Sequence, residues 1–308
     1  MVETIVKDAS GNIATKTEET IKTYTVNGED KKRIVKKVKN PDGEAVTHDF
    51  EYYTDSSQEE KYLMRKSRHR SDGAWEKIDY DNQGRISLKV HPFGNVSWSS
   101  VENLSASEAA AQGRAKYYSY QPVDADDSLA VNDARPRTVQ EKIEGTTVSK
   151  TFHAYKTNAD GEKVEITERA ADPSNSYGET NDSGELVNLR TTRTYYKVVR
   201  AEDDPDHPDH ESDPKKIIKP AEAGRLKNVK YPDGRQDSYK YFYGTYNSNS
   251  DPAQASFSVE SSGEDMKTTV THGTTSNTDG IANKTTREVS VETAAGENPL
   301  KETYVYTG

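Results

Sequence analysis

A short turn recurs along the chain and constrains its fold more than any other feature. In each copy Asp, Asn or Pro-Asp precedes a Gly, and Gly accepts the positive φ that tight hairpins require. Eight copies occur in the 308 residues. Their glycines are Gly11, Gly43, Gly73, Gly84, Gly161, Gly184, Gly234 and Gly280. Since such turns join antiparallel strands, the pattern predicts an all-β chain built from hairpins.

The segments between the turns alternate between larger and polar side chains, as strands do. Ile86, Leu88 and Val90 alternate with Ser87 and Lys89, which places the larger side chains on one face of a sheet. The turns are spaced irregularly, at roughly twenty residues or about twice that, the range expected of stacked repeat units. We therefore predict an elongated array of antiparallel β-hairpins that forms a curved sheet or a shell.

The composition favours a thin sheet over a deep globular core. Only 31% of the residues are hydrophobic, and the mean hydropathy is -1.03. The aromatic side chains are 19 Tyr, 5 Phe and 2 Trp. Tyr buries its ring while its hydroxyl stays at a wet boundary, which suits a sheet that is solvated on at least one side.

One region interrupts the strand pattern. Ser105 and Glu108 form a capping box ahead of an alanine run that ends near Gly113, so we predict one short helix near 105–115. An acidic loop is expected at 201–214. The resulting division is a β-repeat region at 1–100, an irregular insertion with the short helix at 101–140, and a second β-repeat region at 141–308.

Several function classes are disfavoured by the sequence. The net charge of -10 argues against nucleic acid as a partner, since phosphate binding needs clustered Lys and Arg. The chain has no Cys, which excludes thiolate metal sites and disulfides. No apolar run approaches the ~20 residues that span a bilayer, so membrane insertion is not expected. No catalytic residue is assigned, because neither a nucleophile elbow nor a zinc-binding helix motif is present.

The acidic loop is the sharpest candidate for metal binding. Its acids and histidines could hold Ca²⁺ or a transition metal, although the glycine and ligand spacing of an EF-hand is missing. The alternative is a solvated loop, because two prolines and like charges oppose compaction. No other cofactor is expected. The candidate ligands are Asp203, Asp204, Asp206, His207, Asp209 and His210.

Trp75 and Trp98 are the candidates for ligand stacking. Together with Tyr80 they could form a platform for a sugar ring. The alternative is that both rings cap the sheet where a strand ends, since Trp is scarce in so polar a chain.

Two segments carry Tyr, Asp, Gly and Arg in a recurring order. The first is Tyr80-Asp81-Asn82-Gln83-Gly84-Arg85-Ile86, followed by Gly94, and the second is Tyr231-Pro232-Asp233-Gly234-Arg235, followed by Tyr239 and Tyr241. These segments resemble the Tyr-Asp repeat of Rhs and YD-repeat proteins, and a weaker copy runs from Asn40 to Tyr52. The resemblance concerns the repeat region only. The residues that carry it are Tyr80, Asp81, Gly84, Arg85, Gly94, Tyr231, Asp233, Gly234, Tyr239 and Tyr241.

The resemblance implies a structural or interaction protein. In that family the repeats form a β-sheet shell around a toxin or other cargo, or build surface and adhesion proteins. It makes 1–100 a YD-like region and implies an extracellular or cell-surface location, although no export signal is seen in this sequence. The Asp-Pro-x-Gly-Leu motif used for self-cleavage is not matched at 251–254, so self-processing is not expected.

The expected partners are further repeats or subunits that pair with open sheet edges, an encapsulated cargo, or a surface glycan. Two other functions stay open. One is a carbohydrate-binding or adhesion module, and the other is an all-β polysaccharide-active enzyme with two converging carboxylates in a cleft.

Overall fold

The computed structural model describes most of the chain, with side chains as far as Tyr239. The described residues are 1–7, 9–10, 13–40, 44–128, 133–203, 206, 211–213, 215, 217, 222–243, 255–263, 266–275, 284–293 and 300–307. They divide into two compact units. Unit 1 comprises Met1–Gln121, Ala130–Thr151 and Asp172–Asn175, and unit 2 comprises Pro122–Leu129, Phe152–Ala171 and Ser176–Gly308.

Unit 1 is an antiparallel sheet in which each strand from β1 to β9 pairs with the next. Two short helices follow β7. The elements, ending with a strand that continues into unit 2, are β1 Val2–Lys7, β2 Ile13–Val26, β3 Glu29–Lys39, β4 Val46–Tyr52, β5 Arg65–Arg70, β6 Trp75–Tyr80, β7 Ile86–His91, α1 Trp98–Val101, α2 Ala106–Ala109, β8 Arg114–Ser119, β9 Thr138–Ile143 and β10 Thr146–Thr157.

Unit 2 repeats the same architecture, and each strand from β11 to β18 pairs antiparallel with the next. A short 3-10 helix, Ala201–Asp203, precedes β13. The strands are β11 Lys163–Arg169, β12 Leu189–Tyr195, β13 Leu226–Lys230, β14 Gln236–Tyr243, β15 Ala255–Gly263, β16 Met266–Thr275, β17 Lys284–Thr293 and β18 Leu300–Thr307. The prediction of an all-β, repeat-like strand array is confirmed.

Five of the eight predicted turns lie in the described residues, and all five have one geometry. In each, the glycine N–H donates to the carbonyl three residues earlier, and the N–H of that earlier residue donates to the carbonyl after the glycine. This is a three-residue loop closed by a glycine in the left-handed region. The glycines are Gly73, Gly84, Gly161, Gly184 and Gly234, with φ between 73° and 88°. Gly11, Gly43 and Gly280 lie outside the described residues.

Two further hairpins use a tighter turn that the predicted set missed. Asn27 and Gly28, with φ of 52° and 80°, join β2 to β3, and Glu144 and Gly145, with φ of 48° and 80°, join β9 to β10. Positive φ at both central residues defines the two-residue turn that matches strand twist. Asn-Gly is a strong signal for this turn, so the first of the two was readable from the sequence.

The interruption between β7 and β8 is helical, as predicted, but has two helices. The capping box is present, because Ser105 Oγ accepts from the Glu108 N–H at 3.2 Å and the Ser105 N–H donates to Glu108 Oε2 at 2.7 Å. The capped helix α2 ends at Ala109 rather than near 115. A Cβ at Gly113 would lie 2.6 Å from the His91 carbonyl oxygen, so the chain passes close to β7 there. The segment 101–140, expected to be irregular, also contains β8 and the start of β9.

The helices cover one face of the sheet in unit 1 and create its apolar core. The cluster consists of Trp75, Leu88, Val90, Val101, Ala106, Ala109, Ala110 and Ala115. By contrast, no residue of β1, β2 or β3 is buried. This buried apolar cluster therefore lies where α1 and α2 supply a second layer.

Candidate functional site

The first repeat segment builds a hydrogen-bonded turn. Asp81 Oδ1 accepts from the N–H groups of Gln83 and Arg85, each at 2.9 Å, and Asp81 Oδ2 accepts from Arg85 Nε at 2.8 Å. Burial opposes ionisation of Asp81, but the hydrogen bonds from Arg85 and Gln83 outweigh it and hold the pKa of Asp81 below its ordinary value. The Arg85 guanidinium lies 4.0 Å from the centroid of the Tyr120 ring. In this motif Asp and Arg therefore fix the turn.

In the second repeat segment Asp and Arg also stabilise the turn, but through different contacts. The Arg235 guanidinium lies 4.3 Å from the ring of Tyr231, and the Arg235 N–H donates to Asp233 Oδ1 at 3.1 Å. The Tyr231 hydroxyl donates to Asp237 Oδ2 at 2.8 Å. A cation above a Tyr ring thus accompanies both turns, but the ring comes from a different part of the chain in each.

The remaining repeat residues do not gather at one place. The Tyr80 hydroxyl donates to the Arg65 carbonyl at 2.9 Å, and Gly94, with φ of 57°, lies in the loop after β7. The Tyr239 carbonyl accepts from the Tyr196 hydroxyl at 2.8 Å. Tyr241 lies in β14, where its side chain is outside the described part of the structure. The contacts of Tyr80 and Tyr239 therefore join segments that are 15 and 43 residues apart in the chain.

The two tryptophans are part of the core of unit 1. Trp75 is 2% exposed, and its indole N–H donates to the Val96 carbonyl at 3.0 Å. Trp98 is partly buried and stacks on His69 with ring centroids 5.1 Å apart. This arrangement leaves the Trp75 ring no free face for a sugar. Trp75 is the first residue of β6.

Lys77 is a buried cation that the sequence did not single out. It is 1% exposed, its ammonium donates to the carbonyls of Glu102 and Leu104 at 3.0 and 2.6 Å, and it lies 5.0 Å from the Trp98 ring. Burial lowers the pKa of Lys77. Lys77 thus satisfies carbonyls at the end of α1 and joins the helix to the sheet.

A pocket of about 350 Å³ lies on unit 1. This volume is at the lower end of the ~300–1,000 Å³ range of small-molecule pockets. The side chains around it include an aromatic ring, a carboxylate, an amide and hydroxyls. Its lining residues are Asp79, Ser87, Leu88, Tyr117, Tyr118, Ser119, Thr138 and Gln140.

The carboxylate of the pocket is held in place by three donors on one of its oxygens. Asp79 Oδ1 accepts from Lys61 Nζ at 2.6 Å and from the Tyr80 N–H at 2.8 Å, and it shares the Tyr53 hydroxyl proton, at 3.2 Å, with the Ile78 carbonyl oxygen at 2.9 Å. Burial, followed by the charge of Asp79, raises the pKa of Tyr53 well above its ordinary value, so Tyr53 remains a donor at neutral pH. The sequence did not point to this site, because Tyr117 lies in the segment 101–140, which was expected to be irregular.

The acidic loop is only partly described. Asp203 ends the 3-10 helix and Asp206 lies in a turn, whereas Asp204, His207, Asp209 and His210 lie outside the described residues. Asp203 Oδ2 accepts from the Arg200 N–H at 2.8 Å, which is a local cap. Within the described residues no group of three or more acidic or histidine side chains is arranged to hold a metal.

Comparison with known proteins adds little to this picture. No family model matches the chain, and no curated protein matches it. One similar solved structure is a porin-like protein from Bacteroides uniformis, with 11% identity and a TM-score of 0.29 over 97% of this chain and 89% of that chain. Among the described residues, no helix combines the length and apolar character needed to cross a bilayer.

Proposed function

We propose that this chain is a structural and interaction module, a section of a hairpin-repeat sheet like the walls that the resemblance to YD-repeat proteins implies. Its place is the cell surface or the space outside the cell, where it contributes to a shell or fibre. The observation that carries the proposal is the recurrence of one turn geometry at five described positions, in both units. A chain that repeats one turn and pairs each strand with its sequence neighbour can be extended by adding further hairpins.

The buried carboxylates support this reading over an enzymatic one. Glu76 binds Arg65 at 3.1 Å, Glu162 binds Lys227 at 2.6 Å, and both acids are less than a tenth exposed. A polysaccharide-cleaving enzyme needs two carboxylates that converge on a bond, one of them free to give up a proton. Carboxylates tied to cations are suited to holding strands together.

The proposed partners are further repeats or subunits, which would pair with the sheet at β1. All six residues of β1 are exposed, and Val2, Ile5 and Val6 are 47%, 44% and 54% exposed. An exposed apolar strand is a template for strand addition by another chain. A shell assembled in this way could enclose a cargo or present a surface that meets glycans.

The test is the self-association of the chain, measured by sedimentation velocity over a concentration series. We expect the wild type to associate and the double variant Ile5→Lys, Val6→Lys to lose association, because charges on an exposed strand block pairing. Thr17→Lys on β2 is the matched control, since Thr17 pairs with Thr4 of β1 on one side and with Lys39 of β3 on the other. A wild type that stays monomeric up to its solubility limit contradicts the proposal. So does association that survives the double variant.

A further inference from the structure

We infer that the pocket beside Tyr117 binds a neutral saccharide, as a mono- or disaccharide or as one unit of a longer glycan. This goes beyond the proposed structural function, which neither requires the pocket nor depends on it. The pocket has the size, the aromatic ring, the carboxylate, the amide and the charge balance that suit such a ligand.

The pocket combines an apolar surface with polar groups that differ in kind. Tyr117 on β8 and Leu88 on β7 are direct neighbours across the two strands, and both line the pocket. Gln140 on β9 is the direct neighbour of Tyr117 on the other side. A sugar ring has C–H groups on its face and hydroxyls on its rim, so it matches an aromatic ring bordered by acceptors and donors.

The carboxylate is positioned to accept hydrogen bonds from a ligand. The three donors described above all use Asp79 Oδ1, so the carboxylate is held in one orientation. Its second oxygen, Oδ2, has no such bond among the described residues and is a ready acceptor for a sugar hydroxyl. A carboxylate acceptor makes a hydrogen bond about twice as strong as a neutral one.

The amide and hydroxyls complete the recognition surface. Gln140 Nε2 donates to Thr147 Oγ1 at 3.0 Å, which holds the amide in one orientation. The hydroxyls of Ser119 and Thr138 can each donate and accept. A ligand with several adjacent hydroxyls can use such a mixed set more fully than an apolar ligand can.

The charge balance favours a neutral ligand over a cation or an anion. The charge of Asp79 is offset by Lys61, whose ammonium lies 2.6 Å from Oδ1. A second cation, the Lys142 ammonium, lies 4.9 Å from the centroid of the Tyr117 ring. With the single acid already paired, a cationic ligand gains little, and an anion would meet the Asp79 carboxylate.

The test is saturation-transfer NMR with a sugar panel, followed by calorimetric titration of any sugar that responds. The panel is glucose, galactose, mannose, N-acetylglucosamine, lactose, maltose and cellobiose. We expect at least one sugar to bind with Kd on the order of 1 mM, which a shallow site with few contacts can supply.

Four variants of the full chain assign the binding to the pocket. Tyr117→Ala should weaken binding by about tenfold, which corresponds to the loss of one aromatic contact. Its control is Tyr24→Ala, because Tyr24 also lies beneath a lysine, with Lys22 Nζ 5.2 Å from its ring, but is not in the pocket. Thr138→Val removes one hydroxyl at nearly constant volume and should weaken binding several-fold, and Thr23→Val is its exposed control.

Thermal unfolding followed by circular dichroism checks that each variant is folded. If Tyr117→Ala does not fold, Thr138→Val still tests the pocket. The inference is overturned if no sugar of the panel responds, or if both pocket variants bind as the wild type does. Self-association is measured on the same samples. Binding without assembly defeats only the proposed function, and assembly without binding defeats only this inference.

Discussion

The segments that cover the sheets of the two units meet different buried side chains. In unit 1 the interior under α1 and α2 is mainly apolar, with Val90, Val101 and Ala109 fully buried beside the buried cation Lys77. In unit 2 a carboxylate, that of Glu168, is fully buried. It accepts from the Gly178 N–H, Asn188 Nδ2 and Arg190 Nε, each at 2.7 Å.

The difference shows how a chain with few apolar residues covers a face of each of its two sheets. Where an alanine-rich segment supplies short helices, small apolar side chains fill the space. Where a polar loop folds back over the sheet, its N–H groups and amides need an acceptor, and Glu168 is that acceptor. The Arg190 guanidinium then lies 5.0 Å from the Tyr177 ring, which packs edge-on against Phe152. In both units the turn residues determine which strands form hairpins. The segment that covers the sheet, helical in unit 1 and a polar loop in unit 2, determines which side chains are buried beneath it.

The largest expected effect is from removing the buried acid. Glu168→Ala should lower the stability of unit 2 by about 3–5 kcal/mol, because Arg190 and two other donors lose their common partner. Hydrogen exchange with mass spectrometry should show faster exchange in β11 and β12. Glu165→Ala is the control, since Glu165 is only partly buried and accepts a hydrogen bond from the Tyr195 hydroxyl at 2.9 Å. Equal effects of the two variants would show that full burial of the Glu168 carboxylate adds nothing to the stability of unit 2.

The next effect tests the apolar core of unit 1. Trp75→Phe should cost about 1–3 kcal/mol, because the ring shrinks and the Val96 carbonyl loses its donor. Urea unfolding followed by the fluorescence of the remaining Trp98 measures it. Trp98→Phe, followed by Trp75 fluorescence, should cost less, since Phe can still stack on His69. The reverse order would mean that Trp98 is the anchor of the core.

A smaller effect on stability is expected from substituting the glycine of the same turn in each of the two units. Gly84→Ala and Gly184→Ala both place a side chain at positive φ, at about 1–2 kcal/mol each. Gly84→Ala should cost more, because its Cβ would lie 3.0 Å from the Glu60 carbonyl oxygen, whereas nothing lies within 4 Å at Gly184. Thermal unfolding measures the difference. Equal costs would show that Met64 and the Glu60 segment yield without strain.

The smallest effect is on the pH dependence of stability. Burial lowers the pKa of His91 in unit 1 and of His153 in unit 2, although Glu76 and Glu165 respectively oppose the shift. The unfolded chain, with a His pKa of about 6.5, then binds more protons than the folded one, so stability is full above that pH and declines as the pH falls through it.

His91→Gln and His153→Gln should each flatten this decline in the unit that carries the change. Exchange rates of β7 and of β11, measured between pH 5 and 7 with correction for intrinsic exchange, separate the two units. A slope that is unchanged in both variants would assign the decline to other groups.

What the sequence could predict was local. The turns at Gly84 and Gly161 follow from the need for a residue that tolerates positive φ, and the helix at Ser105 follows from its own cap. The burial of Glu168 was not readable, because it depends on donors that arrive from Gly178 and from Asn188, ten and twenty residues later. The burial of Lys77 could not be predicted for the same reason. Its acceptors lie at the end of α1, a helix for which the sequence has no capping signal.

The candidate site shows the same limit. The repeat residues were recognised because they are close in sequence, and among them Asp81, Arg85 and Asp233 make hydrogen bonds within turns. Tyr117 and Asp79 belong to different hairpins, and only the register of β6, β7 and β8 brings them to one pocket. The predicted metal ligands at 203–210 lie largely outside the described residues, so that hypothesis stays a prediction.

The central claim is that each strand pairs with its sequence neighbour in a fixed register, and cysteine pairs test it most directly because the chain has no Cys of its own. Thr23 faces Lys32 in unit 1 and Thr167 faces Thr191 in unit 2. Mild oxidation of the two double-Cys variants should yield intramolecular disulfides. Pairs shifted by one residue, Thr23 with Arg33 and Thr167 with Thr192, should stay reduced, since their side chains lie on opposite faces. Disulfides that form as readily in the shifted pairs would contradict the register and with it the repeated hairpin.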